Sequence, residues 1–357
     1  MSESAASPIA HEPAAAPWLQ RIAETPPWSP VRLAIVTALV LTALFLAIEL
    51  VAGRFPILLD PIETPVTRGA RVDFRIALVL ILLFSCLPAA YAHGPRGARR
   101  ALDELLPSLE GSPAETAALH VGAGRLDGAS LRRAGWIGIA IGVAIPFLTD
   151  REPGVWALWR YSPEPIAQRF LLLGVGWLTA RLLYAVAVES RRLSRAGERV
   201  RVDLLDLRVF APLTRQGLRH ALAILGMLSI LALMLFDYDK RGLVPVVATA
   251  GGLVLAAAVT ALLLPLVGAR RAIQRAKRAE LDWCEAELRS ARAELADGQR
   301  PTQPLADLVA WRNVVLGVHE WPLDAPTLRR FFLYLAIPIG SWLGGALVDH
   351  ALDLALR

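Results

Sequence analysis

Lysine and cysteine are almost missing from this chain. Lys240 and Lys277 are the only lysines in a sequence whose positive charge is otherwise arginine. With the abundant alanine, that bias reads as the coding habit of a GC-rich bacterium. The two cysteines are Cys86, in an apolar run, and Cys284, in a charged stretch. They have no C-x-x-C spacing, so neither a disulfide framework nor a zinc site follows. Several enzyme signatures are also absent: H-E-x-x-H, G-x-S-x-G and G-x-x-x-x-G-K-[ST]. The glycines of GAGRLDG (Gly122, Gly124, Gly128) have the wrong spacing for a dinucleotide fingerprint, and no strand pattern precedes them. The six histidines, His11, His93, His120, His220, His319 and His350, are dispersed. No metal, no cofactor and no enzymatic activity is expected.

What the chain does have is apolar length. Hydrophobic residues make up 55% of the 357, and the mean hydropathy is +0.46. Seven runs stand out, at 31–53, 74–92, 134–149, 166–188, 219–237, 243–268 and 328–352. A helix of about twenty residues crosses a hydrocarbon core of roughly 30 Å. The third run, AGWIGIAIGVAIPFLT, is short enough to raise a re-entrant segment as the alternative. The first thirty residues, with six prolines from Pro8 to Pro30, read as a disordered tail. The first apolar run is too long and starts too late for a cleaved signal.

The net charge of +6 is distributed unevenly. Six arginines lie between the second and third runs: Arg96, Arg99, Arg100, Arg125, Arg132 and Arg133. Eight lie between the fourth and fifth: Arg191, Arg192, Arg195, Arg199, Arg201, Arg208, Arg215 and Arg219. The alternate connections hold two or three basic residues each. The positive-inside rule makes the basic connections cytoplasmic, provided that the third run crosses. The predicted fold is therefore all-α: a polytopic membrane bundle of about seven transmembrane helices, N-terminus cytoplasmic and C-terminus periplasmic, in a bacterial inner membrane. Trp156, Trp159 and Tyr161 then fall in an outer connection at headgroup level. Membrane lipids are the expected partners of the basic residues. Nucleic acid is not, because no basic patch interleaves with stacking aromatics.

The chain divides into a tail (1–30), six spans (31–268), a cytoplasmic helical hairpin (269–327) and a seventh span (328–357). Residues 269–297 contain no glycine or proline. Leu281, Cys284, Leu288, Ala291 and Leu295 follow the 3-4 spacing of a coiled-coil seam, over two heptads only. After GQRPTQP, residues 305–320 form a second amphipathic stretch whose expected buried set is Leu305, Leu308, Val309, Val315 and Leu316. Asp324 suits an N-cap, with Pro326 in the first turn of the last span. Residues 202–221 read either as a surface helix ending near Pro212 or as an ordinary connecting helix.

Two G-x-x-x-G patterns, Gly138/Gly142 and Gly340/Gly344, mark close helix packing, within the chain or in a homo-oligomer. Arg181 interrupts LLLGVGWLTARLLYAVAVE. It is about 12 Å of helix from the inner end at Glu189, so its side chain is expected to snorkel there; pairing inside the bundle is the alternative. Glu49, Asp73, Arg75, Arg169, Asp237, Asp239, Asp349, His350 and Asp353 belong at the outer ends of spans. There they form either a vestibule for cations or protons, or structural salt bridges and solvated helix ends.

Functionally, this predicts a channel or carrier for an ion or small solute. The alternative is a non-transporting scaffold, assembly factor or signal relay whose hairpin, 269–320, binds a cytoplasmic protein. An intramembrane lipid enzyme would need a polar catalytic cluster at one depth.

Overall fold

The computed structural model describes residues 29–60, 62, 64–112, 114–115, 126–149, 163–233, 240–297, 303–337 and 340. Ten helices are named here in chain order: α1 Pro30–Val51, α2 Phe55–Leu59, α3 Pro65–Leu105, α4 Gly128–Thr149, α5 Pro163–Gly197, α6 Ala211–Ala232, α7 Lys240–Leu263, α8 Leu266–Ala296, α9 Leu305–Gly317, and α10, running over 325–337. The described residues contain no strand, only the isolated bridges Leu109–Val200 and Asp203–Asp206, so the fold is all-α.

Local chemistry sets several helix starts. Ser29 caps α1 by accepting from Arg32 N at 3.2 Å. Thr64 and Thr67 cap each other reciprocally at the start of α3. Asp127 accepts from Ser130 N at 2.8 Å at the start of α4. Its carboxyl is held below the usual range by these bonds from Ser130 and Ala129. The Asp324 carbonyl takes bonds from Thr327 N and Leu328 N, opening α10 one residue before Pro326.

Three cores are stacked along α3. The first joins Phe45 of α1 to Ala77 and Ile81, with Phe45 and Phe74 rings 6.1 Å apart. The second packs Leu87 and Tyr91 with Leu178, Leu182, Leu225 and Leu262 from α5, α6 and α7. The third packs Leu102 and Leu105 with Leu193, Phe210, Leu213, Leu266 and Ile273. Glycines allow two tight crossings. Gly138 of α4 lies so close to the Gly176 carbonyl of α5 that a Cβ would overlap it, and a Cβ on Gly142 would lie 3.4 Å from the Leu172 carbonyl. Gly268 of α8 sits just as tightly on the Ser194 carbonyl of α5.

Three described helices are long and apolar enough to cross a membrane: Pro30–Val51, Ala70–Ser108 and Pro165–Gly197. A fourth results if Gly251–Leu263 and Leu266–Ala296, bent by 44° at their break, count as one. These helices point to a membrane protein. So do the exposed apolar side chains of α1, among them Ile35, Leu39, Val40 and Leu44, which only an apolar neighbour or lipid would cover. The count is below the seven runs of the sequence. The apolar part of α4 is short and begins after Arg132 and Arg133. Helix α6 opens with the polar turns holding Arg215 and Arg219. The second half of the seventh run lies outside the described residues.

Other expectations need correction. Residues 202–210 do not form a surface helix. Asp203 and Asp206 cap turns leading into a 3-10 segment, Leu207–Phe210, and Phe210 is fully buried in the third core. Pro212 does not end a helix but sits in the first turn of α6, where its missing N–H costs nothing. The hairpin of α8 and α9 is present, yet α9 buries only Leu308 and Val315. Val309 and Leu316 face outward, because α9 meets one neighbour along a narrow seven-residue seam. On α8 the partner face is Cys284 and Ala291, while Leu295 is exposed. Burial raises the Cys284 thiol above its ordinary pKa, so it behaves as a small apolar side chain. Trp311 Nε1 donates to Glu280 Oε1 at 2.8 Å across the hairpin.

Candidate functional site

Between the second and third cores, three helices bring polar side chains together where a bundle normally buries apolar ones. Helix α5 contributes Glu189 and Ser190, α6 contributes Gln216 and His220, and α3 contributes Gly94, Gly97 and Tyr91. All five side chains are nearly inaccessible, with exposures of 2%, 0%, 1%, 3% and 4% for Glu189, Ser190, Gln216, His220 and Tyr91. Gln216 and His220 share one face of α6 because they are four residues apart. Gly94 and Gly97 let α6 approach. A Cβ on Gly94 would be 3.1 Å from Glu189 Oε2, and one on Gly97 would overlap the Gln216 amide.

The hydrogen-bond roles follow from the donors available. Gln216 Nε2 donates to the Gly94 carbonyl at 3.1 Å and lies 2.8 Å from His220 Nε2. Its second hydrogen therefore makes His220 Nε2 an acceptor, and His220 Nδ1–H faces Ser190 Oγ at 3.4 Å. Yet Glu189 Oε2 is 3.5 Å from the same Nε2. An ionised Glu189 and a neutral Nε2 would oppose each other across this gap. Glu189 Oε1 and Gln216 Oε1 have no hydrogen-bond partner, an arrangement that costs free energy in a buried site.

This group opens on a cavity of about 540 Å³ lined by Gly94, Gly97, Gln216 and His220, with Arg96, Arg100 and Arg219 among its walls. Among the described residues, the lining contains no carboxylate. No cluster of three or more His, Cys, Asp or Glu suited to a metal ion occurs among the described residues.

Arg181 does not reach out to solvent. Its side chain is 8% exposed, and the guanidinium lies over the Trp177 ring, 4.3 Å from the centroid. Helical side chains lean toward the N-terminus, which carries Arg181 back to Trp177 rather than on to Glu189. Its Cδ packs at Gly135, level with the arginine-bearing start of α4. Tyr91 lies within electrostatic reach of both Arg181 and Glu189.

Glu49 is 1% exposed, and both it and Arg75 are engaged in polar or electrostatic contacts. At the same end of the bundle Arg54 pairs with Asp73 at 3.3 Å, and Gln168 Nε2 donates to the Asp73 carbonyl at 2.8 Å. Helices α1, α3 and α5 are thus tied together there. Asp237, Asp239, Asp349, His350, Asp353 and Gly344 lie outside the described residues, as do Trp156, Trp159 and Tyr161. Gly340 has nothing within 4 Å of a would-be Cβ. In the sequence, Glu189 stands at a span end and His220 is one of six scattered histidines. The available signal was the Gln216/His220 spacing opposite the glycines of HGPRG.

Compared with known families, curated proteins and solved structures, the chain matches none.

Proposed function

We propose that the chain is a carrier or channel for an ion or small solute in the bacterial inner membrane, crossing it seven times with its N-terminus cytoplasmic and its C-terminus periplasmic. The carrying observation is the Glu189–His220–Gln216 group beneath the arginine-lined cavity. Ionisable groups are costly at membrane depth and are kept where something passes or binds. The arginine-bearing ends of α3, α5 and α6 then face the cytoplasm, as the positive-inside rule requires, and the Arg54–Asp73 corner with Glu49 faces outward. The group sits where a solute entering from inside meets the apolar half of the bundle.

Purified protein in liposomes tests this with a panel of labelled ions and small anions. A hydrogen bond to a charged group is worth about 1.5–3 kcal/mol, about tenfold or more in rate, and a solute held by Glu189 or His220 would lose one in each variant. Glu189→Gln and His220→Asn are therefore expected to cut flux by at least about tenfold. Absence of flux across the panel, or full flux in both variants, overturns the reading.

One observation favours the scaffold reading. Val309, Val314 and Leu316 of α9 and Trp283 of α8 are 43–49% exposed on the hairpin. A cytoplasmic protein or a second copy of this chain would cover them. Cross-linking from residues 281–316 in cells that captures neither removes this alternative.

A further inference from the structure

The cavity beside Gln216 and His220 has a charge pattern that selects a ligand class. Arg96 and Arg100 are one turn apart on α3, and Arg219 faces them from α6 between Gln216 and His220 in sequence. Arg100 and Arg219 have no carboxylate partner among the described residues. Glu104, one turn further along α3, pairs instead with Arg215. Guanidinium groups present paired donors whose spacing matches phosphate oxygens, and they lose less hydration than an ammonium does. Gly94 and Gly97 carry no side chain, which lets Gln216 and His220 seat against α3 beside the arginines. About 540 Å³ is room for a phosphate and several attached atoms, and the apolar lining from Ala90, Leu222 and Ala223 lies on the side of the second core.

We propose that this cavity binds a phosphate-bearing anion, clamped by Arg100 and Arg219. The phosphate is either that of a soluble ion or ester, or that of an anionic lipid headgroup entering from the inner leaflet. This names the solute for the carrier reading and rests on it for transport alone. Binding is measured without flux, so the two can fail separately.

The test uses the full chain purified in detergent and in nanodiscs. Isothermal titration with inorganic phosphate probes the soluble source. Native mass spectrometry from mixed phosphatidylglycerol and phosphatidylcholine nanodiscs probes the lipid source. Arg100→Gln and Arg219→Gln change exposed side chains, and an unchanged melting midpoint confirms that both fold. Each is expected to weaken the bound phosphate species by about tenfold, and the pair by more. Arg275→Gln, in the other arginine cleft, is the control and is expected to leave binding unchanged. Titratable phosphate assigns the soluble source, and retained phosphatidylglycerol without phosphate binding assigns the headgroup. Neither ligand bound, or equal loss in Arg275→Gln, overturns the proposal.

Discussion

Two clefts in this protein are rich in arginine, and they use it differently. The cavity above Gln216 and His220 gathers Arg96, Arg100 and Arg219 with no acid among the described residues of its lining. The second, of about 490 Å³, lies where α5 meets α8 and is lined by Glu198, Arg199, Arg271, Gln274, Arg275 and Arg278. There Glu198 accepts from Arg271 at 2.6 Å through its carboxylate, and from Arg275 at 2.5 Å through its carbonyl. Arg199 reaches Glu115 at 3.4 Å. In the second cleft the positive charge is spent joining two helices. In the first, Arg100 and Arg219 have no carboxylate partner among the described residues. Arginine content alone therefore does not distinguish the two clefts; the placement of carboxylates does.

The most severe way to break this comparison is to remove the helix crossing that builds the paired cleft. Gly268→Leu places a side chain on the Ser194 backbone, which α8 cannot accommodate without moving off α5. Overpacking against backbone costs about 3 kcal/mol or more. The expected outcome is loss of the monodisperse species in size exclusion, or a melting midpoint many degrees lower. A wild-type midpoint would mean that this crossing is not needed for the fold.

A milder change sharpens it. Glu198→Gln removes the acid from the paired cleft and makes it resemble the first. Its ion pair with Arg271 is largely exposed, so the stability cost stays at or below about 1 kcal/mol. Phosphate binding is expected to gain a second, weaker site in titration. An unchanged stoichiometry would show that something other than charge balance separates the two clefts.

The smallest effect concerns pH beside the paired cleft. Glu320 accepts from Gln274 at 2.6 Å, with Arg270 at 3.6 Å and Lys277 nearby. The Gln274 bond, helped by those cations, holds its carboxyl below the ordinary value of 4.5. A depressed carboxyl stabilises the fold fully above its unfolded value and loses that contribution as pH falls through the folded one. The docking of 316–323 on α8 should therefore loosen only below about pH 4.5. Hydrogen exchange of that segment checks this, and Glu320→Gln should flatten the dependence.

The sequence made the helices legible wherever apolar length or composition dominated. Helices α1, α3 and α5 follow their hydropathy runs, and Pro265 marks the bend before α8. It misled where tertiary contact overrode a local signal. The second apolar run stops at residue 92, and Pro88 and Pro95 resemble helix breakers. Yet α3 continues to Leu105, because Ala98, Ala101, Leu102 and Leu105 recur at helical spacing and bury in the third core. The polar group was harder to see. Glu189, Gln216 and His220 come from two helices and meet on the glycines of a third, so no window of sequence contains them all. Arg181 was visible, but its direction was not. Leaning back over Trp177 depends on the neighbouring Gly135, which leaves space on another helix.

The length of α3 has a mechanical consequence. Its 41 residues make a strut of about 60 Å, twice the thickness of a bilayer's oily interior. Asp73 is anchored near one tip and Glu104 near the other, and Pro95 interrupts the hydrogen-bond ladder one residue past Gly94. Any tilt about that interruption swings the two tips in opposite directions, as on a seesaw, with the buried glutamate and histidine at the fulcrum.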